Sequence, residues 1–353
     1  MKLHLISAAE LDDGVCRQWR AVQETRRLYD SPYYHPAYTQ AVAAARSDVR
    51  ILLLEDGNQI GGFFPFHRRG RRMLPVGEGL TDYQGPIAHP DAGLTADGWL
   101  RAAGARYFGF NHMPADIKTF SDHAWTRSRS LQLDLRGGYQ AYIQRLLDQR
   151  DASVLKKADT NRRKLSNRFG DLRFDLQSLK GSDFEQLIVG KSDQFRRTVG
   201  ADHDIFSVPW IRQTVDHLFQ TRQPDFGGML STLFAGDTLI AAHFGIYSDK
   251  VLHYWFPWYD TEYASFSPGL ILLASCAEKA AEIGMETIDL GRGEQAYKQR
   301  FATGSQELCE GAVSRPMLQA RMEGQYYQWR TRFKDSAFGQ KIREWKQGAG
   351  QSF

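Results

Sequence analysis

Residues 289 to 301, Asp-Leu-Gly-Arg-Gly-Glu-Gln-Ala-Tyr-Lys-Gln-Arg-Phe, set acidic, phenolic and basic groups directly after an apolar run that ends in glycine. These types suit acyl transfer. Lys298 can stabilise negative charge developing on a carbonyl oxygen, Glu294 can take the proton of an attacking amine, and Arg292 and Tyr297 complete the cluster. The plainer reading is an exposed helix with a Glu294 to Lys298 pair contributing a few tenths of a kcal/mol. Gly291-Arg-Gly293-Glu-Gln-Ala296 also fits the dinucleotide pattern GxGxxA. Its context argues against that reading: the helix it opens spans only about two turns, and the strand after it offers no clean acidic residue about 20 positions on.

One helix upstream lies Ser267-Pro268-Gly269. Proline fixes φ, glycine allows close backbone approach, and the helix that follows aims free N–H groups and its positive dipole end at a ligand such as pyrophosphate. An ordinary helix start explains the same residues, with Ser267 as N-cap and Pro268 at the first helical position. A second polar knot is Thr81-Asp82-Tyr83-Gln84-Gly85-Pro86. Asp82 beside the Tyr83 phenol can act as general base or hold an amine, or simply form an Asp turn. Tyr254, Trp255, Phe256, Trp258 and Tyr259 crowd one strand and read mainly as core, with Trp258 and Tyr259 at its end placed for ligand contact. Between 150 and 173, eight basic residues face three acidic ones. Arg162 lies in this stretch, which reads as an anion-facing helix for phosphates or nucleic acid.

Several chemistries lose support. The ten histidines show no HExxH spacing, and there is no GxSxG elbow or P-loop. Cys16, Cys276 and Cys309 are odd in number and scattered, which fits neither a disulfide framework nor a zinc site. The N-terminus MKLHLISAAELDDG does not read as a signal peptide, and no run approaches the roughly 20 apolar residues of a membrane span. A cytoplasmic protein, at most peripheral at the inner membrane, is expected.

The elements that must position these groups follow from periodicity. With 353 residues, 42% of them hydrophobic, the chain can bury two cores. Helices are expected at 10–27, 36–46, 139–148, 152–169, 183–199, 208–221, 270–283 and 294–301. Strands are expected at 49–54, 60–67, 84–88, 107–111, 131–135, 229–234, 238–247, 251–258, 287–290 and 307–314. Asp56-Gly57 and Gly236-Asp237 mark hairpin turns about 180 positions apart, with small residues following both. This predicts an internal duplication. The fold class is α/β (α+β), divided at 1–137, 138–316 and a basic helical tail 317–353. The tail carries seven basic residues against three acidic between 319 and 348, a solvated helix or a contact to an anionic membrane.

Leu230 through Val313, with the Gly-Asp hairpin, Tyr259-Asp260, Ser267-Pro268-Gly269 and the Asp289 to Phe301 motif, resembles the CelD/BcsL-like acyltransferases of the GNAT superfamily. Thr81 to Pro86 after Phe63-x-Pro65 is similar to their N-terminal half. More distantly the layout resembles the FemABX aminoacyltransferases. The resemblance implies a duplicated GNAT-like fold, two mixed, mostly antiparallel sheets flanked by helices with a shared cleft. It implies N-acyl transfer from acyl-CoA (acetyl-CoA), without metal, to an amino-sugar acceptor in bacterial exopolysaccharide or envelope biosynthesis. Lys298, Tyr297, Glu294 and Asp82 would be catalytic, with Tyr297-Lys298 against the acyl carbonyl. Ser267, Pro268, Gly269 and Trp258 would hold the cofactor. Tyr83, Arg162, Lys191, Gln194, Arg196, Tyr254, Asp289 and Arg292 would meet the acceptor. The usual Gln/Arg-x-x-Gly-x-Gly/Ala loop is degenerate here. An aminoacyl-tRNA donor is the alternative, and a non-catalytic module of a polysaccharide synthase, docked through the basic tail, is a third reading.

Overall fold

The computed structural model describes residues 2–57, 59–89, 93–149, 152–293, 295–316 and 318–335. The strands of the first part of the chain are β1 (Lys2–Ser7), β2 (Val49–Asp56), β3 (Gln59–Arg69), β4 (Arg72–Pro75), β5 (Ile87–Ala88), β6 (Tyr107–Pro114) and β7 (Ala124–Asp134). Those of the second are β8 (Leu172–Asp175), β9 (Arg222–Gln223), β10 (Phe226–Ala235), β11 (Thr238–Ser248), β12 (Val251–Tyr259), β13 (Thr287–Arg292) and β14 (Gly304–Ser314).

The expected duplication is present. Across the sheet the order is β1-β2-β3-β4-β6-β14-β7-β13-β12-β11-β10-β8, which reads alike from either edge. Each half presents an antiparallel run followed by one parallel pair, β4 with β6 and β12 with β13. Both hairpins form where their turn residues predict, β2 with β3 and β10 with β11. The two expected sheets are, however, one. The last strands are exchanged, so that β7 pairs with β13 of the second half and β14 with β6 of the first. Pairings between positions some 150 to 200 residues apart leave no local mark in sequence.

Helix boundaries follow their punctuation. Asp12 caps the helix Asp13–Gln23 by accepting from Val15 N at 2.8 Å. Proline opens Pro36–Ala45, Pro209–Gln220 and Pro268–Glu282, where a missing N–H costs nothing. The helices Pro36–Ala45 and Pro209–Gln220, equivalent in the two halves, pack on each other. One hydrophobic core therefore spans both halves, with Trp19, Tyr38 and Phe63 joined to Phe184, Leu230 and Phe244. Each such fully buried ring contributes roughly 1.5–3 kcal/mol. A second core lies between the other face of β10–β13 and the helices Tyr139–Gln149, Ser153–Phe169 and Pro268–Glu282.

No helix among the described residues is long and apolar enough to cross a membrane. The tail forms the helix Leu318–Asp335, which packs against β14. Its basic residues Lys341, Arg343 and Lys346 lie outside the described residues.

Helix Gly181–Thr198 covers one face of β12 and depends on close contact there. A Cβ at Gly190 would stand 2.2 Å from Trp258 Nε1, an indole that cannot swing away as a flexible chain end could. Helix propensity favours alanine over glycine by about 1 kcal/mol, yet overpacking of this kind costs roughly 1–3 kcal/mol. Gly190→Ala is therefore expected to lower the denaturation midpoint, and an unchanged or raised midpoint would show that the contact is dispensable.

Candidate active site

The parallel strands β12 and β13 pair at Val251/Thr287, Leu252/Ile288 and His253/Asp289, and then part. Beyond that point β13 stays with β7 and β12 with β11, so the β12 edge from Tyr254 onward has no ladder partner among the described residues. The result is a fork. His253 and Asp289 stand at its apex, and the helix Pro268–Glu282 begins at its open end, where a Cβ on Gly269 would lie 3.7 Å from Tyr259.

Asp289 is the hub of the apex. Its carboxylate accepts hydrogen bonds from Ser130 Oγ (2.5 Å) and Gly291 N (2.8 Å) on one oxygen, and from Tyr83 Oη (2.5 Å) and Gln132 Nε2 (2.8 Å) on the other. Tyr83, Ser130 and Gln132 come from the first part of the chain, so the hub closes the junction between halves. Gly291 is required for two reasons. Its φ is +72°, and a Cβ there would stand 3.0 Å from Asp82 Oδ2.

Asp82 reaches the apex from the first half. Its Oδ2 lies 2.9 Å from His253 Nε2, and its Oδ1 lies 3.5 Å from His112 Nε2. Burial raises the Asp82 carboxyl, but the His253 hydrogen bond, both histidines and Lys298 outweigh it and hold the group below the usual aspartate range. Burial pushes the His112 imidazole down against the opposing Asp82 charge. Accessibility separates the two carboxylates. The Asp82 side chain is 23% exposed, whereas His253 and Asp289 are 1% and 2%. Only Asp82 can meet a ligand. Among the described residues, neither His253 Nδ1, which lies 3.6 Å from Asp289 Oδ1, nor the buried Tyr33 hydroxyl, whose ring lies edge-on to His253 at 4.9 Å, makes a hydrogen bond within 3.5 Å.

Lys298, on the short helix Ala296–Phe301, donates to Arg292 O (3.0 Å) and Gly291 O (3.3 Å). Burial lowers its ammonium, with Asp82 and Asp289 opposing. Successive helical residues point about 100° apart, and Tyr297 accordingly packs into the second core, its phenol pushed up to about 12 by burial. Tyr254 lies in that core too, stacked on His243 at 3.8 Å, and its hydroxyl has no hydrogen-bond partner among the described residues. Glu294 lies outside the described residues.

On the other arm, Lys191 donates to Pro257 O (2.9 Å) and Gln194 Oε1 (3.1 Å), and burial pushes its amine down to about 8. Ser267 adopts a left-handed conformation (φ 51°) before Pro268, and its side chain caps nothing. That departs from the N-cap role its type suggests. Arg168 lies over the Phe266 ring at 5.8 Å, which adds a cation beside the same turn.

Other expected ligand residues are engaged within the protein. Arg196 pairs with the buried Asp204 (Nε to Oδ2 3.0 Å), and Arg162 donates to Ser275 Oγ (2.7 Å), tying two helices together. Arg292 bridges to Asn111 O (3.2 Å) and Glu310 (3.5 Å). The Trp258 indole packs on Gly190. Sequence reasoning passed over His253, His112, Ser130 and Gln132. The available signal for His253 was a histidine inside the apolar strand Val-Leu-His-Tyr-Trp-Phe, opposite an aspartate in the next parallel strand. A cavity of about 1130 Å³ lies elsewhere, beside Trp125, Arg315 and the tail helix, away from these titratable groups. Among the described residues no group of three His, Cys, Asp or Glu is placed to hold a metal ion.

The low pKa of Lys191 gives a stability prediction. Above about pH 8 the folded lysine sheds its proton while the unfolded one keeps it up to 10.5. The unfolded state then binds more protons, so stability rises with pH across that window. Urea titrations should show Lys191→Met lacking this rise; a rise of equal size in the variant would contradict the assignment.

Residues 152–299 match the family model described as an acetyltransferase (GNAT) domain. No curated protein matches the chain in sequence. Among solved structures, the C-terminal domain (DUF2156) of a putative lysylphosphatidylglycerol synthetase from Agrobacterium fabrum superposes with a TM-score of 0.54 at 14% identity, covering 94% of this chain and 99% of that one. FemX superposes with a TM-score of 0.53 at 9% identity, covering 90% of this chain and 99% of that chain. At such identities the likeness speaks for the fold alone. Residues 152–299 thus carry a GNAT-fold acetyltransferase domain, and the first half repeats its strand order in a duplicated GNAT-like fold.

Proposed function

We propose that the protein transfers an acyl group, acetyl in the simplest case, from acyl-CoA to the amine of an amino sugar used in bacterial exopolysaccharide or envelope synthesis. The fork at His253 and Asp289 carries this reading. An extended arm bearing amides can lie along the β12 edge, which has no ladder partner there among the described residues, although Trp255 N and Pro257 O are already met by His243 Nε2 and Lys191 Nζ. Its phosphates can meet the first turn of the helix at Pro268 and the Arg168 guanidinium.

The chemistry then falls to the apex. The acceptor amine attacks the thioester carbonyl, and Asp82, backed by His253 and His112, takes the amine proton. Lys298 spends two of its three N–H donors on Gly291 and Arg292, and the third is left for the oxyanion. Collapse of the resulting tetrahedral intermediate breaks the C–S bond, and the leaving thiolate takes up the proton held by Asp82, restoring the carboxylate.

A second reading, an aminoacyl-tRNA donor, is favoured by one observation: Lys156, Lys157, Arg163, Lys164 and Arg168 are all exposed on the helix Ser153–Phe169. A polyanion bound there would give a steep salt dependence.

Asp82→Asn should lower turnover with acetyl-CoA by about 10²–10⁴-fold while leaving donor binding intact by calorimetry. Turnover equal to that of the unaltered protein would sink the role of Asp82. Lys298→Met should likewise lose turnover, with its melting temperature reporting separately on the two carbonyl contacts.

A further inference from the structure

The first half contains the same fork in closed form. There β4 and β6 pair in parallel at Arg72/Tyr107 and Met73/Phe108, and β4 stops at Pro75, after four residues against the nine of β12. Both inner strands carry an irregularity at equivalent places, between Phe110 and Met113 in β6 and between Asp289 and Arg292 in β13. In β13 the Gly291 N–H is taken by the Asp289 side chain. In β6 the freed N–H groups of Asn111 and His112 both donate to Gln84 Oε1, at 2.9 and 3.2 Å. Gln84 N donates to His112 O (3.1 Å), Gln84 Nε2 donates to Asn111 Oδ1 (2.8 Å), and Gln84 O accepts from Tyr34 Oη (3.0 Å). With 3% of its surface exposed, Gln84 does with its own amides what a ligand would do on a free strand edge.

We propose that Gln84 permanently plugs the fork of the first half, and that the same plug positions Asp82 and Tyr83 in the fork of the second. Asp82, Tyr83 and Gln84 are consecutive, so six hydrogen bonds at Gln84, those above and Nε2 to Thr81 O (3.3 Å), fix the backbone from which Asp82 reaches His253 and Tyr83 reaches Asp289. One half has given up its slot to complete the other. The protein accordingly holds one donor molecule per chain, and Gln84 is a positioning residue that touches no substrate. The donor statement rests on the acyl-transfer reading above; the positioning statement rests only on the contacts of Gln84.

Two measurements test these parts separately. In protein labelled on its histidine rings, the His253 resonances identified with Asp82→Asn are followed by NMR in Gln84→Ala and Gln84→Glu. Gln84→Ala should move them as Asp82→Asn does while circular dichroism stays that of the folded protein. Gln84→Glu, which keeps the acceptor for both N–H groups, should restore them in part. Unmoved His253 resonances in folded Gln84→Ala overturn the positioning role, whether or not the protein is an acyltransferase. Calorimetry with acetyl-CoA should give one site per chain, and turnover of Gln84→Ala should fall about 100-fold, the effect of misplacing a reacting group by about 1 Å, with donor affinity unchanged. Two sites per chain overturn the plug. Absence of any acetyl-CoA binding overturns the donor assignment and leaves the NMR result to decide the role of Gln84.

Discussion

The buried carboxylate of Asp289 is the interaction on which the rest of the structure depends. Taking a carboxylate out of water costs several kcal/mol, and four donors around Asp289 offset that cost: Tyr83, Ser130, Gln132 and Gly291 N. Three of them arrive from the first part of the chain. Satisfying one charge therefore fixes how β13 meets β7, how the loop after β4 crosses the junction, and where the sharp turn at Gly291 brings Lys298. Without these donors the carboxylate would be a buried, uncompensated charge.

Duplication explains why such a junction arises. Two copies of one strand order face each other across the exchanged strands β14 and β7, so each fork opens near the other copy. The copies have diverged in the length of one strand. A nine-residue β12 leaves a long free edge, whereas a four-residue β4 releases the chain early enough for Thr81 to Pro86 to fold back into its own fork. The open fork then acquires Asp82 from its neighbour at no cost in new elements.

Local patterns made much of the fold legible. The Asp56-Gly57 and Gly236-Asp237 turns, the prolines at helix starts and the alternation of apolar runs place the hairpins and helices within a few residues, and their spacing reveals the repeat. Strand exchange was not legible, because pairing partners lie far apart in sequence, and the four-residue strands β4 and β8 are too short for periodicity to register. At the site, Asp82, Tyr83, Asp289 and Lys298 come together as a cluster. Arg162 and Arg196 show the limit of type-based reasoning: a sequence shows a guanidinium but not the Ser275 or Asp204 that occupies it. His253 shows the converse, since a lone histidine in an apolar strand reads as core until its neighbours are known.

Acyl transfer at this site requires that the fork between β12 and β13 receive the donor. A crystal structure of the protein with coenzyme A tests this most directly. The pantetheine arm is expected along the β12 edge from Tyr254 to Trp258, the pyrophosphate at Pro268 and Gly269, and the sulfur pointing toward Asp82 and Lys298. Coenzyme A bound beside β4 and β6, or along the basic face of Ser153–Phe169 with the β12 edge empty, would contradict it.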